Sequence, residues 1–320
     1  MAAVDFTGRV IIVTGAGGGL GKSYALEAAR RGANVVVNDL GSNVEGTAEG
    51  SQNLADQVVS EIQAMGGQAI ANYADVSSPE SAATIAGDAI KAFGRVDALI
   101  NNAGNMRSDW FENSTATDFN AVVATHLLGS YNVTKGVWPH MKERGYGRIV
   151  FTSSSAGLYG HEMHTAYAAA KAGCVGLLNV LSIEGAEYGI RCNAVMPNAF
   201  SRMTDAEEEK MELDESATQQ LRAVTQNSMN PEFTAALTLY LASEACNSTR
   251  ELYSSCAGRM ARVFIGATTG WQGSRTEPGT VEMIAEHIDE IRDLARGVHI
   301  PQSPSDEFNI VFTQPDPLVP

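Results

Sequence analysis

The sequence predicts an α/β protein built on a doubly wound parallel sheet, and three observations carry that expectation. Short β-branched runs alternate with segments of helical apolar spacing, the first run opens directly into a glycine-rich turn, and no longer internal repeat interrupts the alternation. At 320 residues, 44% of them hydrophobic and 18% charged, the chain can bury a large core, and its composition excludes a disordered, collagen-like or coiled-coil protein.

Taken in order, Val10–Val13 is the first strand, the turn Gly15–Gly21 follows, and Ser23–Arg31 shows helical spacing of Ala and Leu. Asn34–Asn38 is the second strand and ends at Asp39. The glycines of Gly41–Gly50 mark a long surface loop before a helix over Leu54–Met65. Further strands are expected at Gln68–Tyr73, Ala98–Asn101, Arg148–Thr152 and Arg191–Val195, with helical blocks between them. Asp205–Glu215 holds seven acids and one lysine and reads, with the helical Thr218–Val224, as a solvated helical face. Thr280–Arg296 is a helix with Val281, Ile284, Ile288 and Ile291 on one stripe and Gly297 as its stop signal. Five of the ten prolines fall in the last twenty residues, which predicts an extended tail.

The balance of 22 basic and 37 acidic residues, a net charge of −15, argues against nucleic acid or an anionic membrane as partner, since both require clustered Lys and Arg. Residues 201–320 contribute 19 acids against 9 bases, so the acidity belongs to the last third. Cys174, Cys192, Cys246 and Cys256 form no metal-ligand spacing and read as small buried residues of a reducing compartment; no metal site is expected. The N-terminus lacks a basic-then-apolar leader, no apolar run of spanning length is expected, and Leu318-Val-Pro320 is not a peroxisomal address, so a cytoplasmic, membrane-free protein is the expectation.

The chemistry lies in three places. Thr14-Gly-Ala-Gly-Gly-Gly-Leu-Gly21 sits between a buried strand and a helix start, the strand-turn-helix of a Rossmann fold. There Gly15, Gly18, Gly19, Leu20 and Gly21 let a pyrophosphate approach the unpaired N–H groups of the helix N-terminus. Asp39 ends the second strand, where a carboxylate accepts hydrogen bonds from the adenosine ribose and repels a 2′-phosphate; with no Lys or Arg beside it, the cofactor expected is NAD. Tyr167 and Lys171 stand four residues apart, on one helix face, where an ammonium favours phenolate and prepares the tyrosine for proton transfer. Ser154, at the end of the strand before them, can hold a substrate oxygen beside that phenol.

With these residues in place, the chain resembles the short-chain dehydrogenase/reductase family over roughly residues 5–270. Thr14–Gly21, Asp39, Asp75-Val76, Asn101-Asn-Ala-Gly104, Ser154, Tyr167 and Lys171 carry the likeness in the right order. The resemblance implies that Ser154 orients the substrate oxygen, Tyr167 is the acid/base, and Lys171 holds the nicotinamide ribose. It also implies that Asp75 and Val76 meet the adenine, Asn102, Ala103 and Gly104 pass the adenosine ribose, and Pro197 borders the nicotinamide. Where the family usually has a helical asparagine this chain has His126, either a relay from Lys171 to solvent or a satisfied core histidine.

His126, the Gly41–Gly50 loop, Ala71-Asn-Tyr73, Tyr146-Gly-Arg148 and Met196–Thr204 are similar to the (3R)-hydroxyacyl-CoA dehydrogenase unit of peroxisomal multifunctional enzyme type 2 and its bacterial relatives. That likeness implies NAD-dependent oxidation of a secondary alcohol to a ketone, on the 3-hydroxyl of a fatty or sterol side-chain acyl-CoA, with Arg107, Arg202, Arg259, Arg262 and Arg275 as candidates for the CoA phosphates. The alternatives are a hydroxysteroid or cyclic-alcohol dehydrogenase and, from another class, a non-catalytic NAD-binding protein. Residues 1–270 are then one Rossmann catalytic domain with 200–230 as an acidic substrate lid, and 271–320 a C-terminal extension with a helix at about 280–296. The small residues of Ala166–Gly176 give their helix a flat face, which by sequence alone allows an ordinary buried helix; the family resemblance implies that this helix and the one around Ser114–Lys142 pack across a two-fold axis in a homodimer or homotetramer.

Overall fold

The computed structural model describes residues 4–47, 53–199 and 228–313. They fall into two compact units, the first ending at Arg262 and the second starting at Val263, eight residues before the boundary read from the sequence. In the first unit an eight-stranded sheet runs in the order β3-β2-β1-β4-β5-β6-β7-β8. The strands are β1 (Val10–Thr14), β2 (Asn34–Asn38), β3 (Gln68–Asn72), β4 (Ala98–Asn101), β5 (Gly147–Thr152), β6 (Ile190–Asn198), β7 (Leu252–Cys256) and β8 (Arg259–Val263). The pairings from β3 through to β7 are parallel. The order reverses between β1 and β4, which opens a crevice beyond the carboxyl ends of those strands.

Every residue of β1, β4 and β5 is buried, as central parallel strands covered on both faces must be, and this is why Val10–Val13 and Ala98–Ile100 read as continuous apolar runs. On one face Ile11, Val13, Val35, Ile100 and Val150 pack with α1 (Gly19–Arg30), α2 (Asn53–Ala64) and a helix over Glu232–Ala242. Elsewhere in this unit are α3 (Pro79–Phe93), α4 (Ala116–Val123), α5 (Gly129–Arg144), α6 (Ser155–Tyr159) and α7 (Thr165–Gly185). α3 has explicit ends: Ser78 accepts the Ser81 amide, Pro79 starts the helix, and Gly94 closes it in the left-handed region at φ 74°.

Several boundaries differ from the expectations. The first helix begins at Gly19, inside the glycine string, because Gly18 has the extended backbone of an N-cap. The hairpin β7–β8 went unread, although Ala257 and Gly258 make a turn with both φ positive, 48° and 80°. With its following turn, α7 spans Thr165–Tyr188 and is long and apolar enough to cross a membrane, with mean hydropathy 1.4, contrary to the expectation that no such stretch exists. It contains Lys171, buried, and packs on β5 and β6. The acidic segment 205–215, the helical expectation at 218–224 and nearly all of the lid at 200–230 lie outside the described residues.

In the second unit the helix expected at about 280–296 stops at Ile291, and Leu294–Arg296 is a separate short turn started by Asp293, whose carboxylate accepts the Ala295 amide. The proline-rich end is not extended throughout. Pro304–Thr313 is helical, with Ser303 accepting the Asp306 amide and Pro304 in the first turn, a start signal present in the sequence. Trp271 stacks on His287 with 4.3 Å between ring centroids.

Candidate active site

The crevice at the reversal of strand order is a cleft of about 310 Å³. Thr14 ties its floor together: its hydroxyl accepts the amides of Asn102 at 2.9 Å and Ala103 at 3.0 Å, and Asn102 Nδ2 donates to the Thr14 carbonyl at 3.0 Å. The turn after β4 is thereby held against the turn after β1. That approach requires glycine, because a Cβ on Gly15 would lie 2.7 Å from Ala103 Cα and one on Gly21 would lie 2.2 Å from the Gly15 carbonyl oxygen.

The N-terminus of α1 faces this cleft. Unlike α3 and α4, which Ser78 and Thr115 cap, it has no side-chain cap and no acid in its first turn. Its amides and its positive dipole end therefore suit a pyrophosphate, and Gly18 and Gly19, which line the cleft there, bring no side chain into it. Asp39 shapes the next wall, with Oδ2 accepting the Gly17 amide and Oδ1 the Gly41 amide, each at 2.7 Å. Each oxygen keeps a second lone pair for a ribose hydroxyl. Asp75 accepts from the amide and hydroxyl of Ser77, and Val76 is held by α5, where a Cβ on Gly129 would lie 2.7 Å from its side chain.

Of the expected cofactor residues, Gly15, Gly18, Gly19, Leu20, Asp39, Asp75, Val76, Asn102, Ala103 and Gly104 line the cleft. Gly21 is buried beneath it and acts through close packing; Tyr167, Lys171 and Pro197 are not part of its wall. A wall the sequence reading missed is formed by Ser42, Asn43, Val44 and Gly46, together with Arg107. Arg107 donates to the Glu45 carbonyl and pairs with Asp118, and the Met106 amide donates to Val44, so the loop read only as surface is fastened beside the cleft. The positive φ of Gly41 and Gly46, 79° and 70°, turns it there.

The second group of residues lies at the ends of β5 and α7. Lys171 Nζ donates to the Thr152 carbonyl at 2.6 Å and Ser153 Oγ to the Lys171 carbonyl at 3.0 Å, which staples α7 to the end of β5. Ser154 is the N-cap of α6, accepting the Ala156 amide, and α6 lies against α7 because Gly157 has no Cβ; one would fall 2.9 Å from the Ala172 amide. Lys171 Nζ stands 5.5 Å from the centroid of the Tyr167 ring. Burial lowers the Lys171 ammonium to about 8, while Cys174 opposes that shift.

His126 is buried in a single π-helical turn, Ala124–Leu128, between α4 and α5. Its ring meets the Tyr167 ring edge-on at 5.1 Å, and its Nε2 sits at the Asn105 backbone, 2.7 Å from the carbonyl and 3.1 Å from the amide. Burial, and secondarily the Lys171 charge, hold it well below the ordinary imidazole range. The sequence left its role open between relay and core residue; the structure packs the imidazole edge-on against the phenol ring, where burial disfavours its charged form. The reading also missed His164, which lies on the other imidazole contact of Tyr167, at 5.9 Å. A histidine directly before the helix carrying Tyr167 was the available signal.

Comparison with known proteins agrees with this geometry. Residues 9–214 match the short chain dehydrogenase family. The peroxisomal multifunctional enzyme type 2 of Mus musculus is 41% identical over 291 residues, 91% of this chain and 37% of the mouse enzyme, so this chain spans little more than a third of that relative. A short chain dehydrogenase from Mycobacterium avium superposes with a TM-score of 0.75 at 33% identity, covering 92% of this chain and 97% of that one. A 7α-hydroxysteroid dehydrogenase complexed with NADH and 7-oxo glycochenodeoxycholic acid gives 0.69 at 29% identity, covering 79% of this chain and 95% of the other.

Proposed function

The chain belongs to the short-chain dehydrogenase family and is an oxidoreductase acting on CH–OH; from that premise we propose that it oxidises a secondary alcohol to a ketone with NAD. The observation that carries the reading is the buried Lys171 ammonium beside the Tyr167 ring, on a helix stapled to the strand end that presents Ser154. NAD, when bound, supplies the hydride acceptor. Ser154 holds the substrate oxygen, Tyr167 takes the hydroxyl proton, and the Lys171 charge favours the phenolate that does so. Holding these groups fixed converts a poorly organised encounter into a positioned one.

The Asp39 carboxylate supports NAD over NADP, since a 2′-phosphate would meet its charge. For the substrate, the likeness to the (3R)-hydroxyacyl-CoA dehydrogenase unit supports the 3-hydroxyl of an acyl-CoA. A hydroxysteroid is the second reading. Two of the arginines considered for CoA phosphates, Arg107 and Arg262, are paired with Asp118 and Glu251. Trp110, Phe111 and Tyr159 stand exposed on segments before and after the site strand end, and such aromatic side chains suit contact with a sterol or an acyl chain. Turnover of (3R)-3-hydroxyacyl-CoA thioesters against 7α-hydroxysteroids, ranked by kcat/KM with NAD and NADP, tests all of this. Tyr167→Phe should bind NAD and lose turnover by at least about a hundredfold; retained turnover overturns the assignment. Val180 and Ile183, exposed on α7, support assembly through that helix, and sedimentation of Ile183→Glu, expected to be smaller than the wild type, checks it.

A further inference from the structure

The loop after β2 is anchored at both of its ends. At the near end the Gly41 amide donates to Asp39 Oδ1 at 2.7 Å. At the far end the Met106 amide donates to the Val44 carbonyl at 2.8 Å, and Arg107 Nε donates to the Glu45 carbonyl at 2.9 Å. Between these anchors the loop closes on itself: Asn43 Oδ1 accepts the Thr47 amide at 2.8 Å, and the Gly46 amide donates to the Asn43 carbonyl at 3.0 Å. Gly46 comes so near the segment after β4 that a Cβ there would lie 3.0 Å from Asn105 Nδ2.

The sheet order places this loop over the glycine turn. β1 lies between β2 and β4. The loop leaves the carboxyl end of β2, yet it is bonded to Met106 and Arg107, beyond the carboxyl end of β4. It therefore spans the carboxyl end of β1, where the glycine turn opens, and Ser42, Val44 and Gly46 line the same cleft as Gly15 and Gly18.

Arg107 ties the loop to the body of the first unit. Its guanidinium holds two elements at once, the Glu45 carbonyl through Nε and the Asp118 carboxylate through Nη1 at 3.0 Å. Asp118 is itself fixed in the first turn of α4, where its amide donates to the Thr115 hydroxyl and its other oxygen accepts from that hydroxyl. A planar guanidinium suits this task, because its donors stand in a rigid fork that reaches a loop carbonyl and a helix carboxylate together. Asn105 adds a second tie on the same side, donating to the Ala121 carbonyl and the Thr125 hydroxyl.

We propose that Arg107 is a positioning residue that straps the loop Ser42–Gly46 across a bound dinucleotide, an inference that rests on this cleft being the NAD site. It acts through the Glu45 carbonyl, and its ion pair with Asp118 sets how firmly the strap is held. A dinucleotide with its pyrophosphate at the N-terminus of α1 is then enclosed between the glycine turn and the strap, and it leaves when the far anchor opens. Release of the reduced cofactor is in this way governed by an ion pair on a neighbouring segment.

Stopped-flow fluorescence on the full chain tests this. Wild type, Arg107→Met, Arg107→Lys, Asp118→Asn and the double variant are loaded with the tighter-binding of NADH and NADPH. Mixing with an excess of the matching oxidised dinucleotide reads release, and mixing free protein with rising reduced dinucleotide reads association. Arg107→Met is expected to release the cofactor about tenfold faster or more, with association no slower than in the wild type, so that the loss of affinity lies in dissociation. Arg107→Lys keeps the charge without the fork and should release nearly as fast. Asp118→Asn keeps an acceptor without the charge and should give a smaller rise, about threefold. The double variant should match Arg107→Met, because the two residues act through one contact. Unchanged release in Arg107→Met, an affinity loss confined to association, or wild-type release in Arg107→Lys overturns the strap, as does a double variant in which the two effects multiply. Should Arg107→Met fail to fold by circular dichroism, Asp118→Asn decides, and unchanged release there overturns the proposal. A wild type that binds neither NADH nor NADPH overturns the dinucleotide reading itself, whereas a wild type that binds one of them beside an Arg107→Met of equal release rate removes only the strap.

Discussion

Gly104 lies directly beneath His126: a Cβ on Gly104 would stand 2.3 Å from Cε1 of the imidazole. The glycine that ends the Asn-Asn-Ala-Gly motif thus leaves room for a ring as well as lining the cleft. Gly104→Ala must push His126 toward Tyr167 or away from the Asn105 backbone. We expect a loss of about 1–3 kcal/mol in stability from overpacking and a fall in kcat of about tenfold or more. Denaturant unfolding and steady-state kinetics on the same preparation measure both; an alanine variant with unchanged kcat would show that the His126–Tyr167 contact is without consequence for turnover.

Asp39 binds Gly17 and Gly41 through its two oxygens, so it fixes the glycine turn and the neighbouring loop as well as charging the proposed ribose site. Asp39→Ser should raise the KM for NAD by about tenfold and narrow the preference over NADP, because the repulsion is removed and hydrogen bonds worth about 1–3 kcal/mol with a charged acceptor are lost. Dinucleotide titrations of both proteins report the ratio. A wild type that prefers NADP contradicts the role given to Asp39.

Lys171 is a buried cation whose pKa, about 8, lies below the 10.5 of an exposed lysine. Between those values the unfolded chain binds more protons than the folded one, so this group makes stability rise with pH across that window. The charge penalty is fully present below about pH 8 and gone above about pH 10.5, on the order of 3 kcal/mol over the interval. Lys171→Met should therefore be more stable than the wild type at pH 7, lose that advantage by about pH 10, and be inactive at both. Guanidinium unfolding at the two pH values measures the difference, and an advantage independent of pH would mean that folding does not lower the Lys171 pKa.

Much of the first unit was legible from one-dimensional pattern. The strands β1, β2 and β4 are β-branched or apolar runs bounded by turn residues, and the buried centre of a parallel sheet leaves that mark. The glycines, Asp39, Ser154, Tyr167 and Lys171 stood out as candidates because the chemistry proposed for them depends on local spacing within one turn or one helix face. What escaped was of two kinds. Short or edge elements such as α6 and the β7–β8 hairpin have too little periodicity to register. Side chains whose role comes from a distant neighbour have no local signature at all: Arg107 fastening Glu45 across 62 positions, and His126 beside Tyr167.

By itself, then, the sequence determined the order of βα units, the strand-turn-helix proposed to receive a dinucleotide, and the tyrosine–lysine pair, since each is a statement about residues close in the chain. Only the tertiary structure decided that the loop over Ser42–Gly46 walls the cleft, that Gly21 works from beneath it, and that two buried imidazoles grip Tyr167. Those facts depend on which strand ends lie side by side. The reversal of order between β1 and β4 sets that arrangement, and burial then assigns His126 and Lys171 protonation behaviour that composition and spacing do not carry.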